Sequence, residues 1–146
     1  MKLTLEINKD ILNRNWNILK SYLEGKDFSI TVVSKVMQSH PALLSVMEEM
    51  GIQVIADSYP QNFSSGQFSE RWTLCITSPQ DAVSVIKGSH LSVHSNFVTL
   101  QKFQRACKQT DQSHEVLLMI DMGDWREGFP PDFLLHNLDK LENLEP

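Results

Sequence analysis

Long apolar runs, spaced cysteines and a basic patch are all missing from this chain, and each absence narrows its chemistry. The longest apolar stretches are only a few residues, far short of a membrane span. Lysine and arginine nowhere cluster among aromatics, and the formal net charge is −5, which argues against a nucleic-acid partner. Cys75 and Cys107 lie far apart in unlike contexts, with no CxxC pair and only scattered histidines, so no metal site is expected. Small buried thiols in a reducing cytoplasm are the expectation for both. No HExxH and no Ser/His/Asp set supports hydrolase chemistry. The opening MKLTLEINKD alternates and carries charge, unlike a signal or transit segment.

What is present suits one soluble globular domain: 146 residues, 41% apolar and 21% charged, enough to bury a core. Periodicity alternates strand with helix. LTLEI (3–7) alternates like a half-exposed strand. Asn8 caps a helix predicted over 9–24, stopped by Gly25, with Ile11, Leu12, Asn15, Ile18, Leu19, Tyr22 and Leu23 on its inner face. FSITVVS (28–34) reads as a strand covered on both faces. A helix from Pro41 to Met50 closes at Gly51, and IQVIAD (52–57) is the next strand. QNFSSGQFSE (61–70) has room for a turn of helix. RWTLCIT (71–77) is a strand, and SPQD (78–81) opens a short helix ended by Gly88. HLSVHS (90–95) is followed by a helical face of Phe97, Leu100, Phe103, Gln104 and Cys107. EVLLMID (115–121) is the most hydrophobic strand, and PPDFLLHNLDKLENL (130–144) reads as one closing helix.

Five buried strands in units of about twenty residues predict a parallel α/β sheet. Either a doubly wound sheet or a (β/α)₈ barrel suits this rhythm. No glycine-rich fingerprint follows a strand, which disfavours the dinucleotide version of the former. A complete barrel takes roughly 250 residues, so the chain supplies about five of its eight units.

Ligands bind at the carboxyl ends of strands in such folds. Those ends carry Ser34-Lys35, Asp57-Ser58-Tyr59, Thr77-Ser78, His94-Ser95-Asn96 and DMGDWR (121–126). A desolvated Lys35 amine can form a Schiff base with a carbonyl; the alternative is a lysine reaching from the rim to water. Asp57 and Asp121 can serve as bases or as partners of a positive ring nitrogen, or simply cap the next helix. Arg126 offers a planar fork to an anion or aromatic ring, or pairs with Asp124 or Glu127. His94 reads as a strand-end histidine rather than a ligand.

TVVSKVMQSHP, then GIQVIADSYPQN, HLSVHSN and EVLLMIDMGDWREG together resemble the N-terminal half of the fold-type III pyridoxal-phosphate enzymes. The resemblance is to the alanine racemase N-terminal domain family, its ornithine-racemase-like branch in particular, and covers essentially the whole chain. Its most specific element is Asp-x-Gly-x-x-Arg-x-Gly, kept by Asp121, Gly123, Arg126 and Gly128. LTLEINKDILNRNWNILK is similar to that branch's first strand and helix. The resemblance implies an incomplete parallel (β/α) barrel of TIM type and pyridoxal 5'-phosphate as cofactor. Lys35 would carry the cofactor and act as one acid/base, Arg126 would place it and the substrate carboxylate, and Asp57 and Ser58 would line the site.

Tyr59 stands where the branch usually has arginine, and Val-Met-Gln-Ser-His after Lys35 departs from its usual loop. The expectation is therefore the N-terminal portion of an amino-acid racemase, with little or no activity alone. Its phosphate-binding loops and second acid/base would lie in further segments. Two alternatives remain: a non-enzymatic carrier of the same cofactor, and a degenerate half-barrel that self-associates through open sheet edges. A small-molecule amino acid, small or basic in its side chain, is the expected ligand, with no nucleic acid or membrane and with a homo-oligomer allowed by those edges.

Overall fold

The computed structural model describes residues 6–63, 65–75 and 78–144. Five strands form one parallel sheet: β1 (Val32–Val33), β2 (Val54–Asp57), β3 (Glu70–Thr73), β4 (Leu91–His94) and β5 (Glu115–Leu118). They pair in sequence order, β1-β2-β3-β4-β5. A doubly wound sheet reverses its order at a switch point, so this uninterrupted order is the winding of a (β/α) barrel. Helix α1 (Lys9–Leu23) precedes β1, α2 (Pro41–Glu49) joins β1 to β2, α3 (Ala82–Gly88) leads into β4, and α4 (Phe97–Thr110) joins β4 to β5. Residues 3–5 of the LTLEI segment and 76–77 of RWTLCIT lie outside the described residues.

Local chemistry accounts for most boundaries. The Asn8 side chain accepts from the Ile11 N–H at 3.0 Å, and Gly25 follows α1 with φ of +73°. Pro41 sits in the first turn of α2, and Ser78 caps a 3₁₀ turn (Pro79–Asp81) that runs into α3. Asn96 caps α4 through the Thr99 N–H at 2.8 Å. Asn8→Ala is expected to cost about 1 kcal/mol, read as a lowered denaturation midpoint with an unchanged denaturant slope.

Among the described residues the buried apolar side chains gather into three clusters. Leu43, Leu44 and Met47 of α2 close on Ile55 and Phe63, with Leu44 and Ile55 wholly buried. Ala82, Val85 and Ile86 of α3 pack against Phe103 and Ala106 of α4. Leu100 meets Phe129 and Leu134, each such side chain contributing roughly 1.5–3 kcal/mol of burial.

Four expectations differ from what the chain does. FSITVVS is not covered on both faces: among the described residues its strand is Val32–Val33 at the sheet edge, with Val33 43% and Phe28 71% exposed. EVLLMID likewise forms the opposite edge, where Val116 and Leu117 are exposed. The closing helix is two, α5 (Pro131–Leu135) and α6 (Leu138–Glu142). Between them the Asn137 amide donates to the Phe133 carbonyl at 2.7 Å, and His136 Nδ1 lies 2.6 Å from the Asp132 carbonyl. These side chains occupy carbonyls of the first helix, as polar residues do where they compete with a helical ladder. Helix α1 buries no residue completely. Leu12 and Trp16 pack on the first cluster while Ile11, Ile18, Leu19 and Tyr22 stay exposed. Trp16, absent from the expected inner face, donates its Nε1–H to the Met50 carbonyl at 3.1 Å. Among the described residues, no helix is long and apolar enough to cross a membrane.

Candidate functional site

The carboxyl ends of the strands make one rim, and β1 reaches it first. Ser34 still belongs to the sheet through its N–H, which donates to the Ala56 carbonyl at 2.9 Å. Lys35 then opens a 3₁₀ turn (Lys35–Met37), closed by Met37 N–H to the Ser34 carbonyl and Gln38 N–H to the Lys35 carbonyl, both 3.1 Å. Gln38 and Ser39 come next in left-handed conformation, with φ of 48° and 47°. Neither is glycine, so each position stores about 1 kcal/mol or more of backbone strain. The Lys35 side chain is exposed on this turn rather than desolvated.

Asp57 ends β2, the neighbour of β1, and is wholly buried. One carboxylate oxygen, Oδ2, accepts from Ser39 Oγ at 2.7 Å and Ser34 Oγ at 3.1 Å, and the two hydroxyls lie 2.6 Å apart. The other, Oδ1, accepts from the Asn62 amide at 2.8 Å and the Tyr59 N–H at 3.3 Å. Burial pushes this carboxyl toward a raised pKa. Hydrogen bonds from Ser39, Asn62, Tyr59 and Ser34 outweigh it and hold the group below its ordinary range. With both oxygens committed, Asp57 faces the protein rather than the rim. Ser58 is half-buried beside it, and with exposed Tyr59, Cys75 and Ser78 it lines a cleft of about 450 Å³.

The far end of the rim is the loop after β5. Asp121 accepts from the Gly123 N–H at 2.8 Å and the Trp125 N–H at 3.3 Å, and the first of these bonds chiefly holds its carboxyl below the usual range. The loop is closed by Phe129 N–H to the Met119 carbonyl at 2.7 Å and Asp121 N–H to the Phe129 carbonyl at 3.0 Å. Buried Phe129 anchors it, while Met122, Trp125 and Arg126 project outward. Among the described residues Arg126 pairs with neither Asp124 nor Glu127.

The fold thus brings Lys35, Asp57 and Ser58 together on adjacent strands. It sets Arg126 on the same rim at the opposite edge of the sheet. His94 is buried and points to Phe103 of α4, edge to face at 4.5 Å, so it belongs to the packing beneath the rim. Sequence reasoning missed Ser34, Ser39 and Asn62 as Asp57's partners. Periodicity carries no signal for such bonds, although serines flanking a lysine turn are a visible hint.

Residues 7–146 match the sequence model of the family described as alanine racemase, N-terminal domain. The chain is 29% identical to ornithine racemase of Acetoanaerobium sticklandii, covering 99% of this chain and 42% of that protein. Among solved structures it is similar to alanine racemase of Clostridium difficile, with a TM-score of 0.82 and 24% identity over 99% of this chain and 41% of that one. It also resembles PipY of Synechococcus elongatus with PLP bound, with a TM-score of 0.78 and 14% identity over 92% of this chain and 65% of PipY. The chain therefore spans less than half the length of the two racemases, and its sheet is an arc of their barrel.

Proposed function

From the premise that this chain belongs to the alanine racemase N-terminal domain family, we propose that it forms the lysine-bearing part of a pyridoxal-phosphate-dependent amino-acid racemase. The observation that carries this reading is Lys35, a primary amine held exposed on a closed turn at the carboxyl end of the first barrel strand. The donors present fit such a cofactor: an amine for its aldehyde, and on the same rim the Arg126 guanidinium, free of a salt bridge among the described residues, for an anionic oxygen. Bound there, pyridoxal phosphate supplies an electron sink for the pair left when the substrate's α-proton departs.

Lys35 Nζ holds the cofactor and moves one proton at the substrate α-carbon. Arg126 places the cofactor or the substrate carboxylate, and Ser58 lines the site from the end of the second strand. A small or basic amino acid is the substrate class. The 146 residues alone are expected to turn over little or nothing, because they span 42% of the racemase they match in sequence.

The test is labelling. Full-length protein is incubated with pyridoxal phosphate, reduced with borohydride, and digested for peptide mass mapping. A pyridoxyl group on Lys35, lost in Lys35→Ala, is the expected result, together with loss of amino-acid racemisation by chiral chromatography in that variant. Labelling indifferent to Lys35 would overturn the reading.

A further inference from the structure

We propose that the Asp57 carboxylate is the positioning residue for Lys35, acting through the turn and never touching the ligand. This rests on the reading of Lys35 as the cofactor-bearing amine. Asp57 is fully buried, so any influence on the rim must pass through its partners. Those partners bracket Lys35: Ser34 stands immediately before it, and Ser39 ends the turn after it.

The two serines share two hydroxyl protons among several short contacts. At 2.7 Å Ser39 gives its proton to Oδ2, and the one Ser34 proton is shared among Ser39 Oγ at 2.6 Å, Oδ2 at 3.1 Å and the Ala56 carbonyl at 3.2 Å. That chain needs an acceptor at its end, and the carboxylate is that acceptor. The ring Ser34–Ser39–Asp57 closes the turn from beneath.

The backbone shows why a clamp is needed. Gln38 and Ser39 both lie in the left-handed region without being glycine, a geometry that persists only where surrounding bonds over-determine it. Ser39 is at once a strained residue and the one bonded most closely to Asp57. The other carboxylate oxygen is fixed by Asn62 and the Tyr59 N–H, so the turn is referenced to the rim of β2. Lysine carries a long rotatable stem, and an anchored backbone leaves only that stem to search. Misplacement by about an ångström at a reacting group costs on the order of a hundredfold in rate.

Two variants separate positioning from mere stability. Ser39→Gly removes the hydroxyl yet relieves the left-handed strain, so the two effects on folding oppose each other. Asp57→Asn keeps the shape but replaces one acceptor oxygen with a donor.

In full-length protein the rate of covalent uptake of pyridoxal phosphate at Lys35 is followed by absorbance. Uptake is the reaction of amine with aldehyde, in which the imine bond forms and water leaves. The pH midpoint of the resulting absorbance is then titrated. Both variants are expected to take up the cofactor at least about tenfold more slowly, and to shift the titration midpoint, which loss of folded protein alone does not move. Without cofactor, amide hydrogen exchange at Met37–His40 is expected to quicken in both while exchange in α4 stays unchanged. Should Asp57→Asn not fold, Ser39→Gly carries the test alone. If the wild type takes up no cofactor at Lys35, the functional reading fails and takes this inference with it. If the wild type is labelled and the variants match it in rate, midpoint and exchange, the inference alone fails.

Discussion

Taking the protein from pH 7 to pH 5 is expected to cost on the order of 2 kcal/mol of folding stability for each of two histidines, His94 and His114. Both are held at a pKa of about 4, against 6.5 for a free side chain. Burial is the main cause for each. The neighbouring His114 lowers His94 further. For His114 the nearby Ser89 backbone partly offsets burial, and His90 adds to the lowering.

Between pH 6.5 and 4 the unfolded chain binds protons that the folded one refuses, so stability is full above 6.5 and falls as pH drops toward 4. The geometry agrees. Ser92 Oγ lies 2.8 Å from Nε2 of both rings, and one hydroxyl proton can serve only one of them. One ring must therefore accept from Ser92 while the other donates to it, and charging the acceptor ring removes its lone pair. Among the described residues His94 Nδ1 has no hydrogen-bond partner, so a proton placed there would be buried without an acceptor. Denaturant titrations at pH 7, 6 and 5 measure the slope. His114→Gln is expected to remove more than half of it, because His94 also loses the neighbour that lowers it, and a midpoint flat across this range would refute the assignment.

Gly128→Ala is expected to destabilise by about 3 kcal/mol or more and to release the loop that carries Arg126. Gly128 has φ of +131°, and an added Cβ would lie 2.4 Å from Asp121 N and 2.7 Å from Ile120 C. Those are backbone atoms fixed by the Ile120–Phe129 bridge, so they cannot give way as a side chain would. Relief requires breaking the bonds that close the loop and drawing Phe129 from its cluster with Leu100 and Leu134. Gly123→Ala is the control. Its φ of +107° is also unfavourable, but open space surrounds the added atom, and about 1 kcal/mol is expected. Equal losses in the two variants would refute the close-approach argument.

The features legible in the sequence were those that a few adjacent residues decide. Asn8, Pro41, Gly51 and Ser78-Pro79 mark helix ends by chemistry that acts within one turn. The strand rhythm gave the parallel order, and with it the rim on which Lys35 and Arg126 stand. The less legible features depend on distant partners. The apolar run FSITVVS reports that a strand is fit to be covered, but not by what, and among the described residues β1 pairs on one side only. Asp57 reads as a carboxylate at a strand end, equally suited to base, cap or ligand partner. Its commitment to Ser34, Ser39 and Asn62 emerges only when three segments meet. The break between α5 and α6 escaped for the opposite reason, because His136 and Asn137 overrode a helical pattern that otherwise continued.

Pairing in strict sequence order also sets how the chain can be made. Within the described sheet, each strand from β2 to β5 pairs with one about twenty residues upstream. A ribosome adding roughly 5–20 residues per second delivers one such unit every few seconds, while helix formation takes about a microsecond or less. The sheet can therefore assemble in step with translation, each new strand docking on the last. A pause in synthesis after β5 would leave Glu115–Leu118 as an open edge of the sheet.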